Sequence, residues 1–206
     1  MDRAEHKGKL FVISGPSGTG KGTICKRLVD ETSTEVSVSM TTRAPREGEV
    51  DGKSYYFTTK EDFQKAIAEE GFLEWAEVYG NYYGTPKAKV EEKLAAGIDV
   101  ILEIDIQGAL NVKKVYPEGV LIFILPPSLA ELRARLTGRG TDSEESIHLR
   151  LSQTLSEVSY IDQYDYGVVN GDLDEAVEKV KSIFTAEHAK VSKDIYKLIE
   201  QYKEEV

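Results

Sequence analysis

Apolar residues fall along this chain in two rhythms. Near-continuous apolar runs occupy Leu10–Ser14, Val100–Ile106, Val120–Leu125 and Gly167–Val169. Such runs belong to strands buried on both faces. Between them, apolar positions recur at helical spacing over Lys21–Glu31, Pro86–Ala96, Ser128–Thr137, Glu144–Ile161 and from Leu173 toward the C-terminus. Strands alternating with helices predict an α/β fold with a central parallel sheet covered on both faces. From Val36 to Gly84 the rhythm changes: Thr, Tyr, Gly and Ser dominate, with short alternating runs at Val36–Ser39 and Ser54–Phe57. That stretch predicts a small antiparallel insertion with a helix near Lys60–Glu70. Leu129, Leu132 and Leu136 form the apolar stripe of one helix, and the irregular segment Thr137–Ser143 then joins it to the next. Glycines flanking an arginine there suit a mobile lid, with Asp142 or Ser143 capping the following helix. The charged end, Lys193–Val206, reads as a solvated helix.

The turn after the first strand carries the strongest chemical signal. It reads Gly15-Pro16-Ser17-Gly18-Thr19-Gly20-Lys21-Gly22-Thr23. Strand, glycine-rich turn and helix start together are what a phosphate-binding loop requires. Glycines let backbone N–H groups approach phosphates, and the helix start adds unpaired amides and a positive dipole end. Lys21 supplies a flexible point charge for the outer phosphates. In the simplest form of the motif Ser or Thr directly follows the lysine; here Gly22 intervenes, and Thr23 is the hydroxyl that reaches phosphate or magnesium.

Composition narrows the field. The chain has 206 residues, 40% hydrophobic and 30% charged, with a formal charge of −10. That describes a soluble domain with one sizeable core. The longest apolar run, Val120–Pro127, is too short to cross a bilayer. Residues Met1–Lys9 are polar and charged, so a cytoplasmic location is expected. The acidic balance argues against broad nucleic-acid or membrane binding, so an anionic substrate requires a local basic site. Cys25 is the single cysteine, which excludes an intrachain disulfide and a cysteine zinc site. It is expected to pack in the first helix.

Four further segments carry candidate chemistry. Ser39-Met40-Thr41-Thr42-Arg43-Ala44-Pro45-Arg46 sets two arginines around a proline turn. They converge on one small anion, or are two exposed loop arginines. In Gly71-Phe72-Leu73-Glu74-Trp75-Ala76, Glu74 lies between apolar neighbours. A buried carboxylate there accepts from the adjacent N1–H and N2–H of guanine, a donor pair adenine lacks; the alternative is a surface glutamate beside a core tryptophan. Val100–Gly108 ends an apolar strand in Glu103 and Asp105, at the carboxyl edge of the sheet where magnesium or substrate is met. A helix cap is the rival reading for Asp105. Finally, Arg133, Arg135, Arg139 and Arg150 cluster around the irregular segment. Arg139 and Arg150 flank it and are placed to clamp a transferring phosphoryl group; Arg133 reads as a solvated side chain. His6, His148 and His188 have no partner motif.

Taken together, the phosphate loop, Thr-Thr-Arg-Ala-Pro-Arg, Glu74-Trp75-Ala76, Gly80-Asn81-Tyr82-Tyr83-Gly84, Ile104-Asp105-Ile106-Gln107-Gly108 and Gly138-Arg139-Gly140-Thr141 resemble guanylate kinase, a P-loop nucleoside monophosphate kinase. The match runs from about Gly8 to the neighbourhood of Ala186. The resemblance implies a P-loop NTPase three-layer fold in one domain over residues 1–206. Its core would be about 1–36, 98–125 and 162–206, with a small mixed α/β GMP-binding insertion at about 37–89 and a helical lid at about 126–161. It implies Mg·ATP and GMP, with dGMP also accepted, as partners. Ser39, Arg43, Arg46, Tyr55 and Tyr83 would hold the GMP phosphate. Glu74 and Thr85 would read guanine with help from Asp105, and Asn170 would lie near adenine. Lys21, Arg46, Arg139 and Arg150 would act on the transferring group, while Thr23, Glu103 and Asp105 share the magnesium contacts, partly through water.

Three other readings compete. An adenylate or uridylate kinase is disfavoured by Glu74 and the tyrosine-rich insertion. A GTP-hydrolysing switch lacks its Asn-Lys-x-Asp signature, which Val168-Val169-Asn170-Gly171-Asp172 only superficially approaches. A non-catalytic guanylate-kinase-like module that binds phosphopeptides typically has a degraded phosphate loop, whereas Lys21 and the glycines are present here.

Overall fold

A computed structural model describes residues 7–138 and 144–205. In chain order its strands are β1 (Leu10–Ser14), β2 (Glu35–Val36), β3 (Met40–Thr41), β4 (Tyr56–Phe57), β5 (Phe72–Val78), β6 (Asn81–Pro86), β7 (Val100–Glu103), β8 (Val120–Leu125) and β9 (Tyr166–Val169). Its helices are α1 (Lys21–Glu31), α2 (Lys60–Ala68), α3 (Lys87–Ala95), α4 (Ile106–Val115), α5 (Leu129–Thr137), α6 (Glu144–Glu157), α7 (Leu173–His188) and α8 (Lys193–Glu204). A 3₁₀ stretch, Val158–Gln163, follows α6.

The larger sheet has the order β2-β7-β1-β8-β9, with every pair parallel. All five residues of β1 are buried, as a central parallel strand requires. Its side chains alternate between two core layers. Phe11 and Ile13 join Ile24 and Leu28 of α1 and Val177, Val180 and Phe184 of α7. Leu10 and Val12 join Val90 and Leu94 of α3, with Ala109 and Val112 of α4. The result is the three-layer α/β fold. Because the strands are parallel and in register, Ile13 pairs with Glu103 and Ser14 with Phe123. One sheet edge therefore carries the residues that follow β1 and those that end β7.

The smaller sheet, order β4-β3-β6-β5, is formed entirely by residues that lie between β2 and β7. It is mixed rather than antiparallel throughout: β3 pairs with β4 in parallel and with β6 antiparallel. Phe63 of α2 stacks on Phe72 and Tyr82 with centroids 4.3 and 5.4 Å away, filling this sheet's small interior. Leu73 points the other way, into the core layer beneath β7.

Several elements differ from the sequence expectation. The strand expected to continue to Ile106 stops at Glu103, and Ile106 opens α4 because Asp105 accepts from the Gly108 amide at 2.7 Å as a helix cap. Val36, read as the start of the alternating run Val36–Ser39, pairs with Ile101 of β7 in the larger sheet, inside the core stretch expected at about 1–36. The long C-terminal helix is two helices, since Ala189 closes α7 and α8 starts after Ser192. Leu132 and Leu136 are buried against Ile147, but Leu129 is 43% exposed at the first turn of α5. Among the described residues no helix is long and apolar enough to cross a membrane.

Candidate active site

The loop between β1 and α1 is built as its sequence suggests. Gly20 is the N-cap of α1, with φ 91°, and no side chain caps the helix. Its amides are thus left for an anion, and a side chain at Gly20 would strike Asn170 Nδ2 at 2.5 Å. Lys21 Nζ curls back to donate to the carbonyls of Gly15 and Pro16 at 2.6 and 2.9 Å. Burial pushes its ammonium below the usual range, opposed by Glu103 and Glu157. Thr19 is fully buried and donates to Pro16 O at 2.9 Å. Asn170, at the end of β9, donates to Thr19 O at 2.8 Å, and Arg135 of α5 donates to Asn170 O at 3.0 Å. Arg150 of α6 reaches Ser17 Oγ at 3.4 Å. The loop is therefore held from both sides, by β9 and by the two helices α5 and α6.

Carboxylates gather opposite Lys21. Glu103 ends β7, and its Oε1 would lie 3.3 Å from a Cβ at position 22. This close approach explains a glycine where the simplest motif has a hydroxyl. Glu103 is exposed as a residue, yet packing around its carboxyl raises its pKa, with Lys21 opposing. Glu157, at the end of α6, is likewise raised by burial and faces Lys21 and Asp105. Among the described residues no three His, Cys, Asp or Glu side chains form a metal cage. Magnesium keeps several waters and takes one or two carboxylates plus substrate phosphates, and Glu103 with Thr23 in the first turn of α1 fits that limited role.

Across the cleft, Glu74 and Thr85 pair directly between β5 and β6. A bulge between Phe72 and Glu74 shifts the register, so Leu73 can enter the core while Glu74 faces Thr85. Thr85 Oγ1 donates to Glu74 Oε1 at 2.6 Å, and Thr85 is buried. Burial raises the Glu74 pKa against that bond, with Asp105 adding to the rise. A Cβ at Gly108 would lie 3.3 Å from both Asp105 Oδ1 and Glu74 Oε2, so two carboxylates flank the start of α4. Trp75, by contrast, is 43% exposed beside Tyr82. The alternative of a surface glutamate beside a core tryptophan is thus reversed.

The arginine segment forms the far wall. Arg43 lies over the Tyr55 ring at 5.4 Å and beside Tyr83. It forms a fork with Glu49, through Nη2 to Oε1 at 2.7 Å and Nη1 to Oε2 at 3.0 Å. The Arg46 side chain is exposed, while its backbone N–H donates to Glu49 Oε2 at 2.7 Å. The two arginines thus meet through one carboxylate. A cleft of about 280 Å³ lies between the sheets, lined by Ser39, Tyr55, Thr85, Leu102, Glu103 and Ile104 among others. A larger hollow of about 490 Å³ beside β9 and α7 is lined by none of these groups.

The remaining expectations divide. Arg139 falls outside the described residues, as do Asp142, Ser143 and His6. Arg133 pairs with exposed Glu144, the solvated role expected of it. His148 is exposed, and His188 pairs with Asp99 at 2.7 Å. Cys25 is buried with its thiol pushed up to about 12, so it packs and does not react. Glu49, Arg135 and Glu157 were not singled out for these contacts. Each acts across a loop or between elements, where no periodicity signals a partner.

Residues 7–187 match the protein-family model described as guanylate kinase. The guanylate kinase of Clostridium tetani is 58% identical over 187 residues, covering 91% of this chain and 90% of its own. That of Caldanaerobacter subterraneus is 56% identical over 193 residues, covering 92% and 94%. The crystal structure of guanylate kinase from Anaplasma phagocytophilum superposes with a TM-score of 0.69 at 35% identity, covering 90% of this chain and 89% of that one. With a family match over most of its length and relatives above 50% identity, this chain belongs to the guanylate kinase family.

Proposed function

We propose that this chain is an ATP:GMP phosphotransferase that moves the γ-phosphoryl group of ATP to GMP or dGMP, giving ADP and GDP or dGDP. The observation that carries the reading is a shared cleft, lined both by the end of β7, beside the phosphate loop, and by Ser39, Tyr55 and Thr85 at the smaller sheet. The architecture proposed from the sequence divides accordingly into a core, an acceptor-binding insertion at about 37–89 and a lid at about 126–161.

The loop amides of Gly15–Thr23 receive the ATP phosphates, and Lys21 leaves the carbonyls of Gly15 and Pro16 to reach the outer ones. Asn170 pins the loop and borders the adenine. Glu74 accepts N1–H and N2–H of guanine; Thr85 orients it by donating to Oε1, and Asp105 supports it from the α4 cap. Arg43, Arg46, Ser39, Tyr55 and Tyr83 hold the acceptor phosphate. That phosphate has a second pKa of about 6, so its attacking oxygen is already anionic near neutrality and no general base is needed. Thr23, Glu103 and Asp105 would hold magnesium, partly through water, and the ion would supply charge neutralisation at the outer ATP phosphates. Catalysis then rests on in-line placement and charge neutralisation by Lys21, Arg46, Arg139 and Arg150. Arg150 already meets the phosphate loop at Ser17, so it is held within reach of the ATP phosphates, and closure of the lid over both substrates brings Arg139 in late and excludes water. We place this enzyme in the cytoplasm, with nucleotides as its partners.

The direct test is ADP formation by the purified protein with Mg·ATP and GMP, dGMP, AMP, UMP or no acceptor. Turnover is expected with GMP and more slowly with dGMP. Turnover with AMP or UMP instead overturns the guanine assignment. GMP binding without turnover overturns catalysis and makes the protein a binding module.

A further inference from the structure

A carboxylate at the heart of an anion site is electrostatically unfavourable, and Glu49 is one. It lies on the loop joining β3 to β4, where residues 44–48 are exposed, yet its side chain is only 21% exposed and that of Arg43 15%. Three donors converge on it: Nη1 and Nη2 of Arg43 and the backbone N–H of Arg46. Either this carboxylate occupies the arginine that an incoming phosphate needs, or it holds that arginine in place.

Counting donors separates the two. A guanidinium carries five N–H groups in a fixed plane. Nη1 donates to Glu49 Oε2 and to Ala44 O at 2.8 Å, so both of its protons are engaged. Nη2 gives one proton to Glu49 Oε1. Glu49 therefore takes the end-on edge of the plane. The Nε–H and the second Nη2 proton form the other edge, a second parallel fork that matches a phosphate. The Tyr55 ring lies against this same guanidinium, and Tyr83 is a further hydrogen-bond partner of Arg43, which an incoming phosphate shares or replaces. A long, flexible arginine is thereby fixed before substrate arrives, which removes an ordering cost from binding. The same carboxylate fixes the turn that carries Arg46.

We propose that Glu49 is a positioning residue for the acceptor phosphate, orienting Arg43 and the Arg46 turn so that the outer fork of Arg43 receives the dianion. This deepens the GMP-kinase reading and rests on it. Replacing Glu49 by Gln keeps size and one acceptor oxygen but removes the charge; Ala removes both.

The experiment measures the GMP KM, the ATP KM, kcat and competitive inhibition by guanosine for wild type, E49Q, E49A, R43A and R43A/E49A. Guanosine keeps the base and sugar but lacks the phosphate. Losing charge-assisted hydrogen bonds should raise the GMP KM about 10- to 100-fold, less for Gln than for Ala. Guanosine inhibition should move less than about twofold, and kcat should fall far less than 1/KM. In the R43A background, E49A should add little, because the two act as a pair. Unchanged or tighter GMP binding by E49Q means the carboxylate competes with phosphate and overturns the proposal. Equal losses for GMP and guanosine mean a general structural role and overturn it too. Failure of the wild type itself to bind GMP rejects the underlying reading, and the proposal with it.

Discussion

In the proposed reading, a donor wall that takes ATP and an acceptor wall that takes GMP, the two walls of the cleft solve recognition by different means. The donor wall is one contiguous segment, Gly15–Thr23, set on β1, whose five residues are buried between two core layers. It offers mainly backbone amides, which suit any triphosphate. The acceptor wall draws side chains from well-separated parts of the chain, around Ser39–Glu49, at Tyr55, at Glu74 and at Tyr83–Thr85. It is carried by β3 and β4, each two residues long, and by one hairpin. Its order depends on paired side chains, Arg43 with Glu49 and Glu74 with Thr85. Generic binding can rest on backbone; discrimination among bases has to rest on side chains, and these need a second sheet to hold them.

The largest difference should appear in stability. Phe11 lies at the centre of the larger sheet, stacked on Phe184 at 3.9 Å. Phe63 fills the interior of the smaller one. Phe11→Ala or Phe63→Ala removes a fully buried ring, at about 3–5 kcal/mol each. The first should lower the melting temperature of the whole chain. The second should loosen mainly the acceptor wall, raising the GMP KM and the hydrogen exchange of β5 and β6 amides while β1 and β8 stay protected. Hydrogen exchange that rises equally in both sheets for Phe63→Ala would show one cooperative unit and erase the contrast.

Next in size is the functional split. Lys21→Ala should lower kcat by about 10²–10³-fold, the scale for removing one preorganised charge stabiliser. The GMP KM should change little, because Lys21 hydrogen-bonds to the loop carbonyls of Gly15 and Pro16 and to no residue proposed for the acceptor. Steady-state kinetics with each substrate varied in turn reads this directly. A parallel rise in both KM values would mean that the walls form a single network.

The contrast also explains what the sequence made legible. The donor wall is local: strand, glycines, lysine and the whole of the following helix lie between Leu10 and Glu31, so pattern and chemistry coincide. The larger sheet was legible for the same reason, since its strands are apolar runs buried on both faces. Legibility failed where a polar residue decides a boundary. Apolar Ile104 and Ile106 continue the rhythm of β7, but the Asp105 cap turns the chain into α4. Val36 alternates like the insertion, yet register with Ile101 draws it to the larger sheet. The residues proposed for the acceptor stand out chiefly through the family resemblance; the hydrogen bonds that orient them, Arg43 to Glu49 and Thr85 to Glu74, carry no such signal. Glu49 lies six residues from Arg43 along an irregular loop, where spacing predicts no contact.

The smallest effect is the most discriminating, because each wall should leave its own limb on the pH profile. Burial raises Glu74 above the ordinary carboxylate value of 4.5. Guanine presents donors to it, so the ionised form is the one that binds. As pH falls from neutrality through this raised pKa, GMP affinity should weaken by up to about tenfold per pH unit. The stability sign is opposite: a raised folded pKa contributes stability that is full below the unfolded value and lost as pH rises through the folded one. Glu74→Gln should therefore bind GMP less well near neutrality while costing the empty protein little or even stabilising it. It should also remove the Glu74 part of the acid limb, leaving the part near pH 6 that belongs to the GMP phosphate itself. On the alkaline side, burial lowers Lys21 below 10.5 in the empty protein, so kcat/KM for ATP should fall at lower pH than an ordinary lysine would cause. That alkaline limb should be untouched in Glu74→Gln, since only the donor wall carries it. Profiles of kcat/KM for ATP and of kcat/KM for GMP in both proteins measure the two limbs; an alkaline limb that shifts with Glu74→Gln would mean the walls titrate together.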